Sequence, residues 1–263
     1  MRSGEAFDRL VKIMERLRAD DGCPWDREQT LDTLRAYLME ETYEVLDAIA
    51  SGDVGEHCEE LGDLLFQVVF QSQIRAEEGA FTVADVADAI SDKLERRHPH
   101  VFGDLEGLDR EAIRQNWSDI KAAEKAEKSG GGPPPSALDG IPQALPALLR
   151  AHRIGDKASV VGFDWPDVSG VERKLAEELA ELREAIEGGE TARIEDELGD
   201  CLFSLVNWAR HLGIEPETAL QKANAKFVGR FHALEETLRE AGATVRESEP
   251  AALEAIWQQV KRR

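Results

Sequence analysis

The sequence of 263 residues is long enough for two ordinary domains, and 53 acidic against 32 basic side chains give a net charge of −21. A field of that sign repels nucleic acid and anionic membranes, so we expect neither as a partner. Three cysteines without a Cys-x-x-Cys pair, no signal-peptide pattern and no apolar run long enough to cross a bilayer favour a cytoplasmic protein.

A helical stripe of apolar residues marks the segment from residue 31 to residue 49, with steps of three, four or seven residues between Leu31, Leu34, Leu38, Val45 and Ile49. Glu41 falls on the same stripe, where a lone carboxylate is unfavourable unless a positive charge meets it. Glu44 lies three residues further on, so the two carboxylates share a helix face. The pattern indicates a site rather than a simple core helix.

A second acidic pair, Glu60 and Asp63, has the same spacing and begins a nearly all-apolar segment, LLFQVVF. The turn signal SGD at 51–53 separates it from the first pair, so we expect two antiparallel neighbouring helices. Facing each other, the pairs gather four carboxylates, and a hard cation such as Mg²⁺ relieves their repulsion. The sequence therefore predicts a metal site from Glu41, Glu44, Glu60 and Asp63.

The segment that follows closes the first half of the chain. Lys93 and Arg97 precede a Trp-x-x-x-Lys pattern formed by Trp117 and Lys121. The sequence EKAEKSGGGPPPSALDG cannot continue a helix and reads as a linker. We therefore expect one module at 1–124, a linker at 125–136 and a second module at 137–263.

The second module repeats the first, because each of the four acids has an identical residue 137 positions further on. These acids are Glu178, Glu181, Glu197 and Asp200, flanked by the stripe Leu175, Leu179, Leu182 and Ile186. Strand signals are scarce, so the expected fold class is all-α, with two copies of one helical module.

Basic and aromatic residues complete the second module. Lys226 and Arg230, four residues apart, form a basic face that suits phosphate oxygens. Trp257 and Lys261 have the spacing to stack a base and to contact a phosphate. A carboxylate di-iron site needs two Glu-x-x-His pairs, and only Glu95 with His98 fits, so we reject that site. A zinc site is not expected either, because the sequence has no cysteines and histidines at the spacing of zinc ligands.

The duplicated E-E-x-x-E and E-L-G-D motifs, with SDKLERRHPHVF, GFDW, KANAKF and WQQVK, resemble the MazG family of bacterial nucleoside triphosphate pyrophosphohydrolases over nearly the whole chain. The resemblance implies an all-α homodimer that depends on Mg²⁺, with Mn²⁺ as a possible substitute. It also implies hydrolysis of NTPs and dNTPs, with broad base tolerance, to the monophosphate and pyrophosphate, as housekeeping of the nucleotide pool.

The resemblance further implies that the second repeat carries the activity. Its metal ligands and catalytic acids correspond to Glu178, Glu181, Glu197 and Asp200. Its nucleotide contacts correspond to Lys174, Leu175, Ala176, Glu177, Glu178, Arg193, Ile194, Glu195, Asp196, Asp200, Lys226, Phe227, Val228, Gly229, Arg230, Trp257 and Lys261. Gly229 departs from the family, where arginine is common, and we expect a weaker phosphate contact there.

The expected chemistry is in-line attack on the α-phosphorus by a water that the metal holds or a carboxylate orients, with pyrophosphate leaving. The general base is one of the four acids or Glu177. A noncatalytic Mg–nucleotide sensor and a helical scaffold remain alternative functions. In the repeat, Tyr37 is the equivalent of Lys174, and Glu56 is the equivalent of Arg193. Because the second half has these two additional cations beside its acids, we expect it to bind triphosphate better than the first half.

Overall fold

The computed structural model describes residues 2–103 and 136–262, together with residues 107, 109, 112, 113, 116, 117, 120, 123 and 124. Every regular element in this part of the chain is a helix, which confirms the all-α fold class. The chain divides into two compact units, Met1–Glu127 and Lys128–Arg263. Lys121 and the expected linker, apart from Ser136, lie outside the described residues.

The N-terminal unit contains six described helices: α1 (Arg2–Arg18), α2 (Pro24–Glu28), α3 (Leu31–Ser51), α4 (Val54–Glu77), α5 (Val83–Arg97) and α6 (Pro99–Phe102). Its core forms where α1, α3 and α4 meet, around the buried side chains of Met14, Leu34, Val69, Phe70 and Ile74. Burial of this apolar surface is the main force that holds α3 and α4 in place.

A two-residue connection folds α4 back on α3. Gly52 ends α3 with a φ of +76°, a left-handed conformation that glycine adopts without a steric penalty. Asp53 then begins α4 by accepting hydrogen bonds from the amides of Gly55 and Glu56 at 2.7 and 3.1 Å. The turn signal in the sequence therefore produces the expected antiparallel pair.

The C-terminal unit contains α7 (Ala147–Val160), α8 (Val168–Gly188), α9 (Thr191–His211), α10 (Pro216–Glu240), a 3₁₀ turn (Val245–Glu247) and α11 (Pro250–Val260). Gly189 ends α8 with a φ of +75°, as Gly52 ends α3. The helices α8 and α9 therefore form the same antiparallel pair as α3 and α4. No helix in the described ranges has the length and apolar character needed to cross a bilayer.

An ion-pair cluster fastens the GFDW segment, which precedes α8, to the end of α9. Arg210 Nη1 lies 2.9 Å from Asp164 Oδ2, and His211 Nε2 lies 2.9 Å from Asp164 Oδ1. Hydrogen bonding from Arg210, opposed by partial burial, lowers the pKa of Asp164 to about 2. The Arg210 side chain passes against Gly155, where an added Cβ would lie 3.0 Å from Nε. This cluster fixes the start of the helix that carries Glu178.

The expectation that each apolar stripe is buried is wrong at the last member of both stripes and also at Leu179, which is 39% exposed. Ile49 is 57% exposed and Ile186 is 55% exposed, although their stripes continue into the core at Leu34 and Val171. Both isoleucines lie in the last turn of an acid-bearing helix, where no described element of the same unit covers that side. The two units therefore leave equivalent apolar surface uncovered.

Candidate metal centres

The C-terminal unit brings three of the four predicted acids together. One carboxylate oxygen from each of Glu178, Glu197 and Asp200 lies within 4.8 Å of the other two. Glu178 comes from α8 and is only 5% exposed, whereas Glu197 and Asp200 come from α9 and are half-buried and exposed. We call these three residues the C-terminal trio.

Glu181, the fourth predicted acid, lies beside the C-terminal trio rather than within it. Partial loss of hydration raises the pKa of Glu181, Lys174 opposes that rise, and a hydrogen bond with Glu178 together with the charges of Glu178 and Glu197 raises it further. Because its pKa is influenced by Glu178 and Glu197, the carboxyl group of Glu181 lies close enough to the trio to add a further oxygen ligand.

Two basic side chains on the same helices contact the trio directly. Lys174 Nζ lies 2.8 Å from a carboxylate oxygen of Glu178 and 2.8 Å from one of Glu177. These hydrogen bonds raise the pKa of Lys174, which is therefore a fixed positive charge. Arg193 Nε lies 3.6 Å from Glu197. The predicted nucleotide contacts at these positions thus border the acids.

The remaining predicted contacts on α8 and α9 do not join the trio. Leu175 and Ile194 are half-buried, whereas Ala176, Glu177, Glu195 and Asp196 are exposed. Their side chains are placed to shape the surroundings of the trio, and none of them belongs to it.

The predicted contacts on α10 and α11 form an aromatic surface with cations. The ring of Phe227 lies 5.2 Å from that of Trp257, and Lys261 Nζ lies 5.9 Å from the Trp257 ring. Lys226 is exposed and Arg230 is half-buried, and neither makes an ion pair within the part of the chain that the structure describes. Val228 and Gly229 are also exposed. Such a surface suits an aromatic base joined to phosphates.

The N-terminal unit repeats the acidic cluster with Glu41, Glu60 and Asp63, whose oxygens also lie within 4.8 Å of one another. We call these residues the N-terminal trio. Burial raises the pKa of Glu41, the charges of Asp63 and Glu44 raise it further, and a hydrogen bond from Gln67 opposes the rise. Glu44 therefore adjoins this trio as Glu181 adjoins the other.

Both trios have the chemistry of a site for a hard divalent cation. Their ligand atoms are carboxylate oxygens, which Mg²⁺ and Mn²⁺ prefer, and no described histidine or cysteine belongs to either trio. Like charges this close repel one another unless a cation neutralises them. The donor sets therefore fit Mg²⁺ and do not fit a structural zinc site.

Three neighbours of these clusters were not predicted as functional. Cys201 is 7% exposed, and burial followed by the charges of the C-terminal trio raises the pKa of its thiol. Gln67 contacts Glu41 on the facing helix, and Arg210 pairs with Asp164 in the segment that precedes α8. The sequence contained only two signals for these residues: Cys201 directly follows Asp200, and Asp164 belongs to the GFDW motif. The sequence could not show which side chains meet, because tertiary contacts decide that.

Comparison with known proteins identifies the family of this chain. A family model described as the MazG nucleotide pyrophosphohydrolase domain matches the chain twice, at residues 29–102 and 169–234. The chain belongs to the MazG family. Each MazG domain contains one antiparallel acid-bearing pair, so the duplication seen in the sequence is a duplication of this domain.

Two relatives match nearly the whole chain, and a third matches part of it. A nucleoside triphosphate pyrophosphohydrolase of Escherichia coli K12 is 49% identical over 261 residues, covering 97% of each chain. A nucleoside triphosphate pyrophosphohydrolase/pyrophosphatase MazG of Thermotoga maritima is 46% identical over 259 residues, covering 98% of this chain and 97% of its own. A nucleoside triphosphate pyrophosphohydrolase of Mycobacterium tuberculosis is 42% identical over 162 residues, which is 61% of this chain and 47% of its own. These matches confirm the MazG resemblance.

Proposed function

We propose that this MazG-family enzyme hydrolyses nucleoside triphosphates, both NTPs and dNTPs and including ATP, at the α-phosphorus to give the monophosphate and pyrophosphate. The C-terminal unit carries the reaction. The observation that carries this assignment is the C-terminal trio with Lys174 and Arg193 in contact with it. The names of the relatives from Escherichia coli and Thermotoga maritima support the same reaction.

The proposed ligands of Mg²⁺ are Glu178, Glu181, Glu197 and Asp200. When bound there, Mg²⁺ would supply charge neutralisation for the triphosphate and polarise the α-phosphorus. Glu178 lies on the buried side of α8, whereas Asp200 is exposed to the solvent from which a substrate would approach. The carboxylates that remain free orient the attacking water.

The charges of the chain favour a polyanionic substrate at this unit. Lys174 and Arg193 border the acids, and Lys226 and Arg230 lie on α10, which packs against α9. Because Lys226 and Arg230 form no ion pair with described residues, their donors are available to phosphate oxygens. Phe227 and Trp257 offer aromatic faces, and stacking tolerates any base, which fits broad base specificity.

The N-terminal unit offers less free positive charge than the C-terminal unit. Arg97 and Arg96 both pair with Glu124, at 2.5 and 2.7 Å, and these contacts lower the pKa of Glu124 to about 2. Tyr37 stands in the place of Lys174 and packs against Trp25 with ring centroids 5.9 Å apart. A triphosphate would therefore meet fewer free cations here than in the C-terminal unit.

We further propose that the protein is a cytoplasmic homodimer. Both units expose the same apolar positions, with Leu61, Leu65 and Val68 in one and Leu198, Leu202 and Leu205 in the other, all between 39% and 49% exposed. Residues of this size on a helix face are normally covered, and a second copy of the chain would cover them.

The decisive experiment is product analysis of the purified full chain with a panel of NTPs and dNTPs. Pyrophosphate and monophosphate should form in equal amounts, and EDTA should stop the reaction. Diphosphate with orthophosphate as primary products would refute the proposal. Thermal unfolding with Mg²⁺ and a nonhydrolysable triphosphate separates the alternatives. The melting temperature of a nucleotide sensor should rise although the protein turns over no NTP, and the melting temperature of a helical scaffold should not change.

A further inference from the structure

The N-terminal unit has a basic face of its own on the helix that follows its acid-bearing pair. Lys93 and Arg97 lie on α5 with the same four-residue spacing as Lys226 and Arg230 on α10. Their burial also matches, because the lysine of each pair is exposed and the arginine is half-buried. Both units therefore present the same two cations on the helix that comes after the acids.

Each basic face adjoins a tryptophan of the same unit. In the C-terminal unit, Trp257 packs against Phe227 with ring centroids 5.2 Å apart. In the N-terminal unit, Trp117 packs against His98, which directly follows Arg97, with ring centroids 5.1 Å apart. The N-terminal unit thus keeps an aromatic ring beside its cations, as the C-terminal unit does.

The two basic faces differ in a single carboxylate. Glu124 Oε1 lies 2.8 Å from Arg96 Nε and 2.7 Å from Arg96 Nη2, and Glu124 Oε2 lies 2.5 Å from Arg97 Nη2. Each carboxylate oxygen therefore meets a different guanidinium group, and only 18% of the Glu124 side chain is exposed. Arg230, by contrast, forms no ion pair with the residues that the structure describes.

The contact geometry of Arg96 and Arg97 is one that also suits a phosphate group. A guanidinium group presents its N–H donors in a planar fork, whose spacing fits two oxygens of a carboxylate or of a phosphate. Two such groups that hold one carboxylate between them are therefore equally able to hold a phosphate, which brings more negative charge.

Buried donors on the segment that carries Glu124 are an independent observation. Trp117 Nε1 and Asn116 Nδ2 are buried and have no hydrogen-bond partner within the described ranges. Both groups can only donate, and buried donors without acceptors are rare and costly. A polyphosphate chain supplies more acceptor oxygens than the single carboxylate of Glu124, so it is better suited to a region rich in donors.

We propose that Arg96 and Arg97 form an oxyanion site for polyphosphate in the N-terminal unit, and that Glu124 occupies this site as an internal substitute for a phosphate group. The contact is autoinhibitory, because the carboxylate and the phosphate compete for the same donors and repel each other. The comparison with Lys226 and Arg230 rests on the proposed function. The oxyanion site itself does not, because it depends only on the arginine pair and its carboxylate.

The test is calorimetric titration of the full chain with inorganic tripolyphosphate in EDTA. The parent carries Lys226→Gln and Arg230→Gln, which weaken binding in the C-terminal unit. Adding Glu124→Gln keeps the shape of the side chain and removes its charge, so one tripolyphosphate per chain should bind at least about tenfold more tightly than to the parent. Adding Arg97→Gln as well should abolish this gain. Unchanged affinity in folded Glu124→Gln, or a gain that survives Arg97→Gln, would overturn the proposal.

Glu78→Gln is the matched control, because Glu78 pairs with one arginine, Arg75, at 2.5 Å on the surface of the same unit. It should leave the affinity for tripolyphosphate unchanged. An equal gain in Glu78→Gln and Glu124→Gln would show a general effect of charge and would overturn the proposal.

Two further variants keep the test decisive if Glu124→Gln does not fold by circular dichroism. Glu124→Asp has a side chain too short to hold both arginines, so affinity should rise here too, and unchanged affinity would count against the site. Arg97→Gln alone, with Glu124 in place, should not weaken binding. A clear loss of affinity in that variant would show that Glu124 does not block the arginines.

Release of pyrophosphate from ATP by the wild-type chain with Mg²⁺ separates this inference from the proposed function. If Glu124→Gln gains the tripolyphosphate site and the wild type releases no pyrophosphate, the proposed function fails while the oxyanion site stands. If the wild type releases pyrophosphate and Glu124→Gln gains no site, the inference fails while the proposed function stands.

Discussion

Glu178 is the residue on which the C-terminal site depends most. It is 5% exposed, shares the trio with two acids of α9 and is paired with Lys174 at 2.8 Å. A buried carboxylate is stable in ionised form only because positive charge meets it. Residue 178 must therefore supply both a negative charge and the shape of a glutamate side chain. Glu178→Gln keeps the shape and removes the charge, so it tests the charge alone.

Neutralising a member of the C-terminal trio should abolish turnover. Glu178→Gln or Asp200→Asn removes one negative charge from the proposed metal ligands, and we expect pyrophosphate release to fall by at least about a hundredfold, since ligand charge supplies several kcal/mol of stabilisation. Glu41→Gln is the matched variant in the N-terminal unit and should retain most activity. Loss of activity in folded Glu41→Gln with retention in Glu178→Gln would reverse the assignment of the units.

Lys174 should act mainly on substrate affinity. Lys174→Gln removes the proposed charge-assisted contact with phosphate, worth about 1–3 kcal/mol, so KM for ATP should rise roughly tenfold to a hundredfold. Arg173→Gln is the control, because Arg173 is an exposed neighbour on the same helix that donates to Ser169 at 3.1 Å. Equal effects of the two variants on KM would argue against a phosphate contact at Lys174.

At the scale of elements, the antiparallel acid-bearing pairs are held by what surrounds their ends. Glycine in the left-handed region ends the first helix of each pair, and the cluster around Asp164 fixes where α8 begins. These contacts set the register in which acids from two helices meet.

The Asp164 cluster should stabilise the C-terminal unit above about pH 4. The folded-state pKa of about 2 lies below the ordinary value of 3.8, so its contribution is complete above the ordinary value and is lost as the pH falls towards 2. After allowance for solvent screening it is roughly 1–2 kcal/mol. Asp164→Asn should therefore lower Tm at pH 7, and the difference from wild type should shrink at pH 3. A constant difference at both pH values would exclude this linkage.

Gly229 offers a test of helix α10. An added Cβ would meet nothing within 4 Å, and the residue does not have a positive φ. Gly229→Ala should therefore stabilise the protein by about 0.5–1 kcal/mol in urea unfolding, because alanine loses less backbone entropy. Gly189→Ala is the control and should destabilise, since its φ is +75°. Gly229→Arg should also lower KM by adding a charge for phosphate.

At the scale of the whole molecule, the same apolar positions are exposed in both units. Leu61 and Leu198, like Leu65 and Leu202, are equivalent in the repeat and 41% to 49% exposed. An apolar face that occurs twice at equivalent positions is more than the scattered exposure of an ordinary surface.

Light scattering should therefore give a mass of about twice 29.2 kDa at micromolar concentration. Leu198→Asp with Leu202→Asp should shift the protein towards the monomer, because burying a charge in an apolar interface is unfavourable. Val54→Asp is the control: Val54 is 83% exposed, and its equivalent in the repeat is Thr191. A wild-type mass near 29.2 kDa would refute the homodimer.

The sequence by itself determined the helical class, the repeat and the candidate acids of each site. Helical periodicity is a local property, and the i, i+3 spacing of Glu41 with Glu44 already places both on one face. A short turn such as that at Gly52 brings the next helix back as an antiparallel neighbour. Family resemblance added the reaction, because the duplicated acid motifs with their partners are specific to MazG.

Only the tertiary structure decided which side chains surround the acids. Sequence spacing predicted four equal ligands, whereas packing of two helices brings three together and leaves Glu181 and Glu44 alongside. It predicted a buried stripe, but Ile49 and Ile186 are exposed because burial depends on which elements pack over a helix, not on its periodicity. Arg97 likewise pairs with Glu124, which is distant in the chain, and no local sequence pattern predicts such a contact. The buried oxygen of Gln67 without a hydrogen-bond partner also results from tertiary packing.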